Sequence, residues 1–192
     1  AVRALVVAGA AGKVAETPAP GDEIFTGSYN IVLGSNYQAL LAAAEEAREL
    51  GYATLPLTSR LTGEAREVAK LFPALALDVR ERRMPLSPPA CILAGGETTV
   101  TLPELHGTGG RNQEMVVAVL REICKNPDAY RGVSFASLAT DGNDGPTDSA
   151  GGWISSRVAS RAAIDTQLID DALSRSDAYP LLDRLDCHLR TG

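Results

Sequence analysis

Two loops in this chain concentrate the residue types that handle charged ligands. The first, HGTGGRNQE at residues 106–114, places three glycines in four residues ahead of an apolar helical run. Gly109 and Gly110 let a backbone approach a ligand closely. The N-terminus of the helix that follows offers unpaired N–H groups and a partial positive charge. Arg111 adds a permanently charged planar fork suited to carboxylate or phosphate. In physical terms this is an anion site, with Asn112 beside it; a tight turn with a solvated Arg111 is the competing explanation. His106 reads as a polar loop residue.

The second loop, TDGNDGPTDSAGG at residues 140–152, carries Asp141, Asp144 and Asp148 within eight residues. Carboxylates this dense repel one another unless a cation or hydrogen-bond donors sit among them. Mg²⁺ takes one or two carboxylates together with phosphate and water oxygens. Asp141 and Asp144 are therefore the metal candidates and also the candidate catalytic bases, with Thr147 and Asp148 as ligand-binding candidates. The crowding further predicts that neutralising Asp141 or Asp144 leaves stability unchanged or raises it. The alternative is an Asx-type turn in which Asp148 or Ser149 caps a following helix.

Two further stretches place polar residues after apolar runs: LGSN, with Ser35 and Asn36, and AGGETT, with Gly95, Gly96 and Glu97. In open α/β sheets ligands bind beyond the carboxyl ends of the strands, so four such ends predict one shared site. Glu97 is placed to orient donors there or to pair with Arg111. Several familiar patterns fail. GTGGRN puts Asn112 where a dinucleotide fingerprint needs glycine or alanine, GAAGK lacks the P-loop glycine and its Ser or Thr, and the aspartate loop breaks the calcium-loop pattern at Gly145, Pro146 and Gly152.

The elements that must position these residues follow from periodicity. Residues 1–14 read as the end of a helix, broken by ETPAPGDEIF. Residues 31–33 read as a short buried strand, followed by a helix capped by Ser35 or Asn36 and stopped at Gly51. Residues 53–58 and 90–96 read as strands, with TTVTLP as a hairpin partner of the latter. Helical spacing over residues 61–82 is broken at Pro73. RNQEMVVAVLREIC reads as an amphipathic helix, residues 133–140 as a strand, and the chain after Trp153 as three short helical pieces that include His188. Strand and helix in alternation predict an α/β fold of three layers, a largely parallel sheet with helices on both faces.

The composition excludes several classes. A net charge of −6 with scattered basic residues argues against nucleic acid and anionic membranes as partners. Three widely spaced cysteines form neither a disulfide framework nor a zinc site and fit a reducing, cytoplasmic compartment. There is no eighteen-residue apolar run.

NIVLGSN, AGGETTVTL, GTGGRNQE and TDGNDGPTDSAG, in this order, resemble the class II glycerate 2-kinases, a family whose members also carry the name hydroxypyruvate reductase and whose C-terminal part is called the MOFRL domain. The resemblance covers most of residues 15–192. It implies ATP-dependent phosphorylation of D-glycerate, commonly at the 2-hydroxyl, with Mg²⁺, in a cleft between two α/β domains. It implies an active-site role for Arg111. It implies that residues 1–20 are the tail of a connecting helix and linker, and that 21–192 are the C-terminal domain. The other domain, which carries an important lysine in the family, would be the partner that completes the site; Lys13 is no substitute for that lysine. On this expectation the isolated chain is inactive, and the resemblance leaves room for a homo-oligomer. The rival expectations are an NAD(P)H-dependent hydroxypyruvate reductase and a catalytically silent anion-binding domain.

Overall fold

The computed structural model describes residues 2–161 and 164–191. The chain forms two units, Ala1–Gly34 and Ser35–Gly192. The first unit holds helix α1 (Val2–Ala10), which buries no residue, and a 3₁₀ turn at Glu23–Phe25. Residues 31–33, expected as a buried strand, are not one: Leu33 is 94% exposed and no strand is assigned there. A strand exists only where a neighbour takes its backbone hydrogen bonds, and among the described residues nothing pairs with this run.

The second unit begins with α2 (Asn36–Glu49), capped by Ser35, whose Oγ accepts from the Gln38 N–H at 3.2 Å. Strand β1 (Ala53–Glu64) follows, then α3 (Ala65–Val68) and α4 (Leu71–Arg82). The helical region breaks before Leu71 and not at Pro73, because Pro73 lies in the first turn of α4, where its missing N–H would have had no partner. Strand β2 (Ala90–Thr99) pairs parallel with β1, and β1 carries two irregularities between Pro56 and Leu61. TTVTLP is thus no hairpin partner; its first two residues extend β2.

The central element is α5 (Arg111–Lys125). Met115, Val116, Val117, Val119, Leu120 and Ile123 are all buried, and they meet Ile154, Ile169, Leu173 and Leu182 in one core. The helix is therefore enclosed over most of its circumference, where the sequence suggests one apolar face. A second sheet carries β3 (Ser134–Leu138), β4 (Gly151–Ser155) and β5 (His188–Leu189), all antiparallel. Helices α6 (Ser156–Arg161), α7 (Thr166–Ser174) and α8 (Ala178–Arg184) are the three late helices.

The fold is mixed α/β, with one parallel and one antiparallel sheet in place of a single largely parallel one. The reason lies in the connection. A parallel pair needs a crossover element, and only the aspartate loop, residues 139–150, joins β3 to β4. It turns the chain straight back. β4 replaces the expected helical start after the loop, and His188 stands on β5 and not on a helix. Among the described residues no helix is long and apolar enough to cross a membrane.

Candidate functional site

Helix α5 starts at Arg111 behind Gly110, whose extended backbone offers no side chain to cap the exposed N–H groups. The cap comes from the aspartate loop. Asp144 Oδ1 accepts from the Asn112 N–H at 3.1 Å and from Asn112 Nδ2 at 3.0 Å, while Oδ2 accepts from the Gln113 N–H at 2.8 Å. Asp144 is 2% exposed. Gly110 lies so close that a Cβ there would strike the Asp144 carboxylate, and Gly145, at φ +66°, packs on the Gly109 carbonyl. The helix N-terminus is an anion site, as its residues suggest, but the anion is the protein's own.

Several expectations change their meaning here. Gly109 and Gly110, expected to let a ligand approach, are themselves packed on protein: Gly109 on the start of α8 and Gly110 on Asp144. Asp144, expected as a metal ligand and base, stands buried with three N–H donors on its two oxygens, as the cap of α5. Its neutralisation is expected to weaken a buried cap and not to relieve repulsion. Thr147 likewise serves the loop. Its hydroxyl donates to the Asp144 carbonyl at 2.8 Å and accepts from Gln113 Nε2 at 3.0 Å. Ser137 Oγ, at the end of β3, donates to Asn112 Oδ1 at 2.7 Å and fixes that side chain.

Arg111 is the outward-facing member of its motif. Its Nη2 lies 3.4 Å from Glu97 Oε1, with side chains 43% and 74% exposed. The pairing with Glu97 suggested by the sequence is therefore present. Glu97 follows Gly95 and Gly96 in β2. Gly95 packs against the Asn36 side chain and Gly96 against the Leu61 backbone, and a Cβ at either would collide. Asn36 Nδ2 in turn donates to the Ser59 carbonyl at 2.7 Å. Contacts thus run from Ser35 and Asn36 through Gly95, Gly96 and Glu97 to Arg111, and from Asn112 to Asp144. All four loops flagged in the sequence join one continuous chain of neighbours.

The other two aspartates part company. Asp141 is exposed, and its Oδ1 accepts from the Asn143 N–H at 3.3 Å. Asp148 is taken by the Tyr179 hydroxyl at 2.7 Å and by Arg190 Nε at 3.1 Å. The Tyr179 hydrogen bond, then Arg190, hold its carboxyl below the usual range. Neither Asp148 nor Ser149 caps a helix, since β4 comes next; Ser149 Oγ donates instead to the Gly151 carbonyl at 2.6 Å. Among the described residues no three of His, Cys, Asp and Glu converge to hold a metal.

Glu114 completes the motif in a way sequence reasoning missed. It is 2% exposed, and its Oε1 lies 2.8 Å from Arg66 Nε on α3. Burial pushes its carboxyl up from the ordinary 4.5, and Arg66 pulls it back. Arg66 Nη1 also donates to the Leu173 carbonyl at 2.9 Å, so one guanidinium ties α3, α5 and α7 together. Nothing in AREVAK distinguishes this arginine from a solvated one. Asp177 was equally unmarked: it accepts from the Thr108 N–H at 2.8 Å and packs on Gly107.

The MOFRL family matches residues 90–192. Glycerate 2-kinase of Pyrococcus horikoshii is 31% identical over 191 residues, covering 100% of this chain and 42% of that protein. A putative hydroxypyruvate reductase of Agrobacterium vitis is 35% identical over 165 residues, covering 84% of this chain and 41% of its own length. A crystal structure of a Pyrococcus horikoshii OT3 protein superposes with a TM-score of 0.74 at 29% identity, over 100% of this chain and 42% of that one. The crystal structure of a glycerate kinase from Thermotoga maritima superposes with a TM-score of 0.70 at 30% identity, over 83% and 37%. The chain spans less than half the length of these curated relatives. With the family match covering more than half of its residues, the chain belongs to the MOFRL family.

Proposed function

We propose that this chain is the C-terminal part of an ATP-dependent glycerate kinase that phosphorylates D-glycerate at the 2-hydroxyl. The observation that carries the reading is the alignment of the whole chain with a protein named glycerate 2-kinase. The geometry adds a fit: the outward group of the GGRNQE motif is a guanidinium with only an exposed carboxylate beside it.

Arg111 receives the anionic oxygens of glycerate or of the phosphoryl group, and Glu97 gives way to them. Phosphoryl transfer depends chiefly on positioning and on stabilising charge at the transferring group, and a fixed bidentate donor supplies both. ATP supplies the phosphoryl group and Mg²⁺ would neutralise its charge. Asp141 is the exposed carboxylate of the loop that suits such a cation, since Mg²⁺ bound to a nucleotide needs only one or two from the protein. Asp144 is committed to its cap, so of the metal pair expected from the sequence this reading assigns the cation to Asp141. Ser35, Asn36 and Glu97 line the same chain of contacts and serve ligand binding. The remaining length of the relatives supplies the other wall of the cleft, and the expected location is cytoplasmic.

The test is made on the full-length protein that contains this chain. Incubation with D-glycerate, ATP and Mg²⁺ should yield 2-phosphoglycerate by phosphorus NMR. Arg111→Lys keeps the charge and loses the fork, and turnover should fall about tenfold or more. Oxidation of NADH with hydroxypyruvate and no phosphoryl transfer would overturn the reading in favour of a reductase.

A further inference from the structure

We infer that Asp144 is a positioning residue for Arg111, acting as a built-in anion that sets the first turn of α5. Three observations meet here. Asp144 donates no proton and accepts three, two of them from the backbone N–H groups of the residues that directly follow Arg111. The site is moulded around the carboxylate, since Gly110 has no room for a Cβ beside it and Gly145 must stand at φ +66° to bring it in. Its surroundings are polar but uncharged: Asn112, Gln113, Thr147 and Ser137 reach it or each other from α5, the loop and β3. The one charged side chain of α5 beside this cap that is not itself buried is Arg111.

The consequence is directional. A helix N-terminus left open would draw an external anion onto its own N–H groups. With Asp144 seated there, that role is filled, and an incoming anion is left to the guanidinium. The same two bonds join the aspartate loop, which carries Asp141, to α5. Asp144 touches no substrate in this scheme; it acts through Arg111.

Chemical rescue tests this. Asp144→Ala empties the carboxylate position and leaves two helix N–H groups unpaired. Its melting temperature should drop by about 4–8 °C. Sodium formate should then raise it by several degrees over sodium chloride at equal ionic strength, with no such difference in the wild-type protein. This arm does not involve the kinase reaction and stands whatever the protein phosphorylates. The second arm rests on the kinase reading. In the full-length protein, kcat for D-glycerate should fall about tenfold in Asp144→Ala and recover in part with formate, in step with the melting temperature.

If Asp144→Ala does not fold in chloride, recovery on refolding in formate replaces the melting shift. Absence of any formate-specific stabilisation, or of recovery on refolding, overturns the inference. So does formate-restored stability with kcat left at the unrescued value in a protein whose wild type is an active kinase. If the wild type shows no kinase activity, the functional reading fails while the melting result still decides the anion role.

Discussion

Helix α5 begins directly after a glycine, at Arg111, and α2 one residue further from one, at Asn36, yet they solve the same problem in opposite ways. Each must satisfy N–H groups that have no partner within the helix. At α2 the preceding serine does it from one residue away, at the surface, through a single 3.2 Å bond. At α5 the partner is Asp144, 32 residues beyond Asn112, with both carboxylate oxygens engaged and almost no solvent contact. The difference teaches how a glycine-rich loop should be read. Glycines before a helix signal either the approach of a ligand or the approach of another part of the same chain. The choice depends on whether a remote carboxylate has been supplied.

Substitutions around the two helices sharpen or break this contrast. The largest effect is expected at Arg66→Ala. It strands Glu114, a buried carboxylate in the first turn of α5, and should cost about 3 kcal/mol in denaturant unfolding. A cost within the range of ordinary surface changes would show that the first turn of α5 is not a tightly bound unit.

Next comes the pair Asp144→Ala and Ser35→Ala. The first should cost about 2 kcal/mol and the second about 0.5–1 kcal/mol, because a charged buried cap that leaves two N–H groups unpaired outweighs an exposed hydroxyl. Equal losses by chemical denaturation would erase the distinction between a remote and a local cap. The sequence-based expectation ran the other way, toward relief of repulsion at Asp144.

The smallest effect is a pH dependence. Burial raises the Glu114 carboxyl above 4.5. Between that value and the raised one, the folded protein keeps a proton that the unfolded chain has released. The contribution of this group to stability therefore falls as pH rises through the window. Asp148, held below its usual range by Tyr179 and Arg190, has the opposite sign: its contribution is present above the ordinary aspartate value and is lost as pH falls through the lowered one. Melting of Glu114→Gln against wild type from about pH 4 to 7 should show the variant gaining on the wild type as pH rises. A gap that is flat with pH would mean that Arg66 cancels the burial cost.

Much of this was legible along the chain. The cap at Ser35, the strands that became β1, β2 and β3 and the start of α5 at Arg111 all follow from short-range patterns, while the pairing of Arg111 with Glu97 was one of two roles open to Glu97. Turn chemistry, capping and side-chain periodicity act over a few residues, so a sequence displays them directly. The four motif loops and the family they resemble were equally readable, since residue type and order alone carry them.

What only the tertiary structure decided is which charged residue faces which partner. Asp141, Asp144 and Asp148 look equivalent in TDGNDGPTDSAGG, yet one is exposed, one caps a helix and one binds Tyr179 and Arg190. Arg111 and Glu114 sit three residues apart, yet one points outward and the other is sealed against Arg66. A carboxylate's role is set by the donors that reach it, and for Asp144, Asp148 and Glu114 those donors come from 31 to 48 residues away in the chain. Periodicity carries no information at that range. The antiparallel turn after β3 belongs to the same class, because it depends on a loop folded around Asp144 and not on the residues of the strands it joins.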